Sequence, residues 1–410
     1  MGAVCPVRGA DEAALGLATL GQSGCHFLLR FLEREGPEAV WRASRRRLLD
    51  WGLMPSAVDR FEEQRQCFAR EQIEALLTRT GVHFLPYGSP YYPQELAQLA
   101  YPPAGLFARA TEDALARLQR LPRVTIVGTR RATPYGLRAT EAFASAFAAA
   151  GVAVVSGLAL GIDGRAHQAA FDAGGLTVAV LGCGADVVYP RRHRGLYEWI
   201  IRGGVVLSEL PPGTPPARWT FPHRNRLLAA LGDAVLVTEG SRTSGALQTA
   251  GWALELGRAV FAVPGPIGVD SHEGCNWLLY EGAGPALDPC VTVEDFLLQT
   301  RIEREGRRTT ERPSKADVGR KDSSARERSA ARGIAGKAAG RLGDVGGYRC
   351  QATGASVESI MEALEHGGCS VDRLVRHTGL ATRQLTAALA EMELMGLVTR
   401  AGPGLYIRAP

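Results

Sequence analysis

Six short apolar runs, each followed by a loop and then a stretch with helical spacing, fill the middle of this chain. The runs fall at 124–128, 152–156, 176–182, 204–208, 234–238 and 259–263. The helical stretches fall at 136–150, 164–173, 193–202, 223–231, 244–257 and 273–281. Strands separated by helical patterns of about 10–15 residues predict a parallel sheet wound by right-handed crossovers. The expected fold class is therefore α/β, a doubly wound and mostly parallel sheet. Ligands of such sheets sit beyond the carboxyl ends of the strands.

What occupies those ends is glycine, hydroxyl and arginine rather than paired carboxylates. The segments are VTIVGTRRATPYG (124–136), VAVVSGLALGIDGRAH (152–167), FPHRNR (221–226) and VLVTEGSRTSGALQTA (235–250). A strand opening into a helix N-terminus aims backbone N–H groups at one place, where a phosphate is favoured. In the first segment Gly128 allows close backbone approach, Thr129 offers a hydroxyl, Arg130 can grip a phosphate with two prongs, and Arg131 adds charge. Ser156 and Gly157 end the second strand. Arg218, Phe221, Arg224, Asn225 and Arg226 surround an aromatic ring with cations, the composition that stacks a base while neutralising its backbone. Arg242, Thr243, Ser244 and Gly245 precede a helix and form a second anion cradle. Each segment also has a plainer explanation: a tight turn with surface arginines, a core Phe221 with solvated cations, or ordinary capping.

Asp163 and His167, four apart on one helix face, could hold a metal or act as acid and base. A helix cap and a satisfied local hydrogen bond fit them better. Neither GxGxxG nor Gly-x4-Gly-Lys-Ser/Thr occurs, so the usual fingerprints of dinucleotide and nucleoside-triphosphate binding are missing. No catalytic residue, metal or cofactor is expected.

At 410 residues the chain suggests two to four domains. Charge is uneven: residues 301–350 hold 14 Lys and Arg against 7 Asp and Glu, the remainder 33 against 35. Any basic groove in the folded part must then arise by local clustering. Four segments are expected: 1–82, a small helical domain of DNA-contacting helix-hairpin-helix or protein-contact type; 83–300, the wound sheet; 301–353, a flexible basic linker; and 354–410, helices followed by a strand pair, a winged helix. In its third helix a DNA reader would offer Arg383, Gln384 and Thr386. The eight cysteines show no CxxC pair or metal-ligand spacing, which fits a reducing cytoplasm. The N-terminus has no apolar signal region. Residues 142–161 imitate a membrane span, but Gly151, Ser156 and Gly157 divide them, and no membrane partner is expected.

Taken in order, YYPQELAQLAYPPAGLFAR, IVGTRRATPYG, VVSGLALGIDGRAH, VAVLGCGADVVYP, LSELPPGTPPARWTFPHRNR, SGALQTA, RAVFAVPG and GCNWLLYEGA, with the terminal winged helix, resemble the DNA-processing protein A (DprA, or Smf) family. The resemblance implies an extended Rossmann-like domain that binds single-stranded DNA, protects it and hands it to the recombinase RecA in natural transformation. It also implies a homodimer with no established enzymatic activity. The family's Gly-Ser-Arg turn falls on Gly128, Thr129 and Arg130. Its basic residue and aromatic fall on Arg218 and Phe221, ahead of Arg224, Asn225 and Arg226. Its second loop falls on Thr243, Ser244, Gly245, Ala246 and Leu247. Thr243 lacks the family's cation, which Arg242 can supply, and Ala246 lacks a hydroxyl. Two other functions share parts of this pattern. A phosphoribohydrolase of the lysine-decarboxylase-like type needs a glutamate after its PGGxGT glycines, whereas Glu239 precedes them here. A transcription regulator would read duplex DNA with the winged helix.

Overall fold

The computed structural model describes residues 9–20, 25–310 and parts of 360–408. Its centre is a nine-stranded sheet: β1 (His83–Pro86), β2 (Gly105–Ala110), β3 (Arg123–Gly128), β4 (Ala153–Ser156), β5 (Thr177–Leu181), β6 (Val205–Ser208), β7 (Ala234–Glu239), β8 (Ala259–Ala262) and β9 (Gly284–Pro285). The strands lie in the order β1-β2-β6-β5-β4-β3-β7-β8-β9. From β6 to β9 across the sheet all neighbours are parallel, while β2 runs antiparallel to both β1 and β6. The doubly wound α/β sheet is thus present, with an antiparallel edge. The prolines at 93, 102 and 103 rule out a long helix in that region, but strand β2 begins two residues beyond the last of them.

Alternate residues of each strand point to opposite faces, and both faces are apolar, as a sheet covered on both sides requires. Val155, Val178, Val180, Val235 and Val237 lie on one face with Leu227 and Ala250. Ile126, Val154 and Leu236 lie on the other with Phe143, Phe147 and Ala166. The helices concerned are α7 (Pro134–Ala149), α8 (Ile162–Asp172), α9 (Arg194–Gly203), α10 (Thr220–Leu231), α11 (Gly245–Glu255), α12 (Asp270–Tyr280) and α13 (Pro289–Thr310), with α6 (Glu112–Arg120) on the β2 side.

The N-terminal helices α1 (Gly9–Thr19), α2 (Leu32–Trp41), α3 (Arg45–Asp50), α4 (Pro55–Cys67) and α5 (Arg70–Thr80) do not keep a separate core. Leu15, Leu28, Trp41 and Phe61 belong to one cluster with Phe84, Phe107, Leu181 and Val206 of the sheet. The expected linker is corrected at its start. Helix α13 carries the chain to Thr310, and near its start Val293 and Phe296 share a cluster with Phe143 and Phe147 of α7. Residues 311–353 lie outside the described residues. So do Arg383, Gln384 and Thr386. At the C-terminus β10 (Cys369–Ser370), β11 (Val398–Gly402) and β12 (Leu405–Arg408) form a sheet in the order β10-β12-β11, beside α14 (Val371–Thr378). Leu374, Leu385, Leu389 and Val398 form the core of this winged helix. No helix among the described residues is long and apolar enough to cross a membrane.

Candidate nucleic-acid interface

The crossover order reverses between β3 and β7, and the loops after β3, β4, β5, β6 and β7 all open at the carboxyl rim around that point. The loop after β3 is tied down from below. Thr129 N donates to Glu239 O (2.7 Å), and Ile162 N donates to Thr129 O (3.2 Å). Thr133 caps α7 by accepting from Gly136 N at 3.1 Å, while its own N–H donates to Glu239 Oε2 at 2.9 Å. Glu239 is wholly buried. Its work is to hold the start of α7, and it presents no carboxylate to the rim. Above it Arg130 and Arg131 are exposed.

The loop after β4 is held still more tightly. Leu158 adopts φ 56, a left-handed conformation that is costly for a residue with a branched side chain. Both of its backbone groups are engaged. Leu158 N donates to His167 Nε2 at 3.3 Å, and His193 Nδ1 donates to Leu158 O at 3.0 Å. His167 in turn is 2.7 Å from Thr177 Oγ1. Burial, with help from His193 and Arg224, pushes the His167 imidazole down to about 3, so it stays neutral. Asp163 accepts from Ala159 N at 3.3 Å, and burial raises its carboxyl. The Asp163–His167 pair therefore closes a loop, as capping chemistry suggested.

The run from Arg218 to Arg226 divides here. Phe221 stays at the rim, half-buried, with the Arg130 guanidinium 5.0 Å over its ring centroid. A Cβ on Gly182 would lie 3.0 Å from that ring, so glycine is what lets the β5 loop pass beneath it. Tyr189 stands beside Phe221, ring centroids 5.5 Å apart and 38° between planes. Arg218 is exposed on the β6 loop, next to Trp219.

Three residues of the same run turn inward, which corrects their reading as surface contacts. Arg224 is 5% exposed. Its Nη1 donates to Gly157 O at 2.9 Å and also to Val180 O. Burial lowers its guanidinium to about 10, with Asp163 opposing that shift and Arg130 adding to it. Arg226 meets both oxygens of Glu209 and donates to Tyr101 O. Asn225 donates to Gly245 O at 3.3 Å, bridging α10 to α11. Ser156 is also buried, its hydroxyl donating to Ile126 O at 2.6 Å. Gly157 backs onto Arg224, with room for no Cβ: the guanidinium would lie 2.5 Å away.

On the other side of the switch point, Arg242 is exposed and its guanidinium lies 3.8 Å over the ring centroid of Trp277. Thr243 and Gly245 are exposed, and Ser244 sits at the N-cap of α11. The Ser244 hydroxyl is buried and makes no hydrogen bond among the described residues. The rim thus carries two guanidinium–ring pairs, Arg130–Phe221 at the start of α10 and Arg242–Trp277 beyond β7. Each such contact contributes about 0.5–1 kcal/mol at an exposed site. Trp219, Tyr189 and Trp277 escape a reading based on motifs. An aromatic inside a Pro- and Arg-rich loop, as in VVYPRR and PPARWTF, is the signal that marks the first two. Among the described residues no group of three or more His, Cys, Asp and Glu could hold a metal.

The chain is similar to known proteins. The family model of DNA recombination-mediator protein A matches residues 83–297, and that of the DprA winged helix domain matches 351–404. Protein Smf of Synechocystis sp. is 34% identical over 322 residues, spanning 78% of this chain and 79% of its own. Protein Smf of Escherichia coli is 41% identical over 233 residues, 56% of this chain, and the match spans 61% of that relative's length. The X-ray structure of DNA processing protein A from Streptococcus pneumoniae superimposes with a TM-score of 0.59 at 30% identity, covering 70% of this chain and 96% of that one.

Proposed function

The chain belongs to the DNA-processing protein A (DprA/Smf) family, and from that premise we propose that it binds single-stranded DNA without sequence preference at the carboxyl rim. It protects incoming strands and hands them to the recombinase RecA in natural transformation and homologous recombination, acting as a homodimer in the cytoplasm. The contacts proposed for the strand are Gly128, Thr129, Arg130, Arg131, Arg218, Phe221, Arg242, Thr243, Ser244 and Gly245. The observation that carries this reading is the exposed Arg130 guanidinium lying over Phe221.

The physics is that of a polyanion with exposed rings. A base stacks on Phe221 for about 1–3 kcal/mol, and every base has a π-face to offer. The guanidinium groups take phosphates, which carry no sequence information. The four arginines among these contacts neutralise about four phosphates and contribute about −3 to the slope of log affinity against log salt. No bond is made or broken. The test is a salt-titrated comparison of single- and double-stranded oligonucleotides. Single strands bind more tightly, and Arg130→Glu combined with Phe221→Ala weakens binding to all sequences alike. Unchanged affinity of that double variant at low salt overturns the site.

A further inference from the structure

The segment after β5 brings a second aromatic and a run of cations to the same rim, and none of them belongs to the contacts named above. Tyr189 is 41% exposed, and its neighbour is Phe221. Arg191, Arg192 and Arg194 follow, all exposed and none with a carboxylate partner among the described residues. The segment is anchored, since His193 between them donates to Leu158 O and packs against Gly164 at the start of α8. Asp186, the acid of this loop, is turned the other way and accepts from Gly213 N at 2.8 Å.

We propose that Tyr189 is a second base-stacking platform, and that Arg191, Arg192 and Arg194 carry the bound strand onward from Phe221 along the β5 loop. This rests on the single-strand reading above and extends its path. The two rings pack as one tilted aromatic pair, centroids 5.5 Å apart, and Tyr189 stays 41% exposed beside Phe221. A base reaches an exposed ring face only when it is free of pairing, which a duplex does not allow. Such a platform favours single strands by geometry, and tolerates any base because a ring face is all it reads.

The experiment uses the full chain and fluorescent oligothymidylates, with thermal melts to confirm folding. Tyr189→Ala weakens binding by about 5- to 150-fold, the range expected for one stacked base, while Tyr189→Trp stays within about threefold of the parent. Arg191→Ala with Arg192→Ala, both on the surface, makes the salt slope shallower by about 1.4, the loss of two single-strand phosphate contacts at about 0.7 each. Phe221→Ala serves as the control. If the parent binds single strands and Phe221→Ala weakens it, but Tyr189→Ala and the double arginine variant match the parent in affinity and slope, the extension is wrong and the single-strand reading survives. A parent that does not bind single strands overturns both.

Discussion

The loop after β3 and the first turns of α10 are both rich in arginine, and the two regions use it in opposite ways. Arg130 and Arg131 stand in solvent, where a guanidinium keeps its hydration and can exchange it for a phosphate. Arg224 and Arg226 are enclosed, and their Nη groups donate to Gly157, Val180, Tyr101 and Glu209. A buried cation must be partnered, because desolvating it costs several kcal/mol. The interior arginines therefore act on the rim only by shaping it: Arg224 holds the loop on which the Arg130 loop rests. A cation in a motif is a ligand only where nothing inside the fold has claimed it.

The comparison breaks most visibly if an interior arginine can be removed cheaply. Arg226→Ala removes the guanidinium that meets the buried Glu209 carboxylate, so stability falls by about 3–5 kcal/mol. Denaturant melts measure this, and the salt slope of binding stays unchanged. At the rim the ledger is reversed. Phe221→Ala leaves the melting curve close to the parent's and removes about 1–3 kcal/mol of single-strand binding, read by anisotropy.

The interior also has a pH signature that the rim lacks. His167 is neutral when folded, held down to about 3, against about 6.5 for an ordinary histidine. The unfolded chain thus binds a proton the native one refuses. Stability is complete above about pH 6.5 and falls, as the pH drops toward 3, by about 1.4 kcal/mol per unit. Melts at pH 7 and 5.5 on the parent and on His167→Gln isolate this, since only the parent carries the extra loss. The smallest effect is the sharpest discriminator. Arg130→Ala makes the log–log salt slope shallower by about 0.7, one phosphate's worth, and leaves stability within about 0.5 kcal/mol.

Much of this was legible beforehand. Each of the six apolar runs is a strand to within a residue or so at either end, and every proposed loop opens on the carboxyl rim. Strand β2 was not, because its six residues stand between prolines and a polar helix, without a flanking βα unit. Nor was the inward turn of the RNR run. The following LLAAL, apolar all round, hinted that α10 is enclosed, but not how far toward its start the enclosure reaches.

From sequence alone came the wound sheet, the rim that its loops share and the family to which the chain belongs. These depend on periodicity and turn chemistry, which act over a few residues. Which guanidinium groups face water was decided only by tertiary packing. Helix α10 lies on β3, β4 and β5 and is covered by α11 and the turn at Gln94–Gln98. The carbonyls and the Glu209 carboxylate that receive Arg224 and Arg226 come from segments as many as 125 residues away in the chain. No local pattern encodes partners so distant, so the fate of each arginine is settled when the layers close.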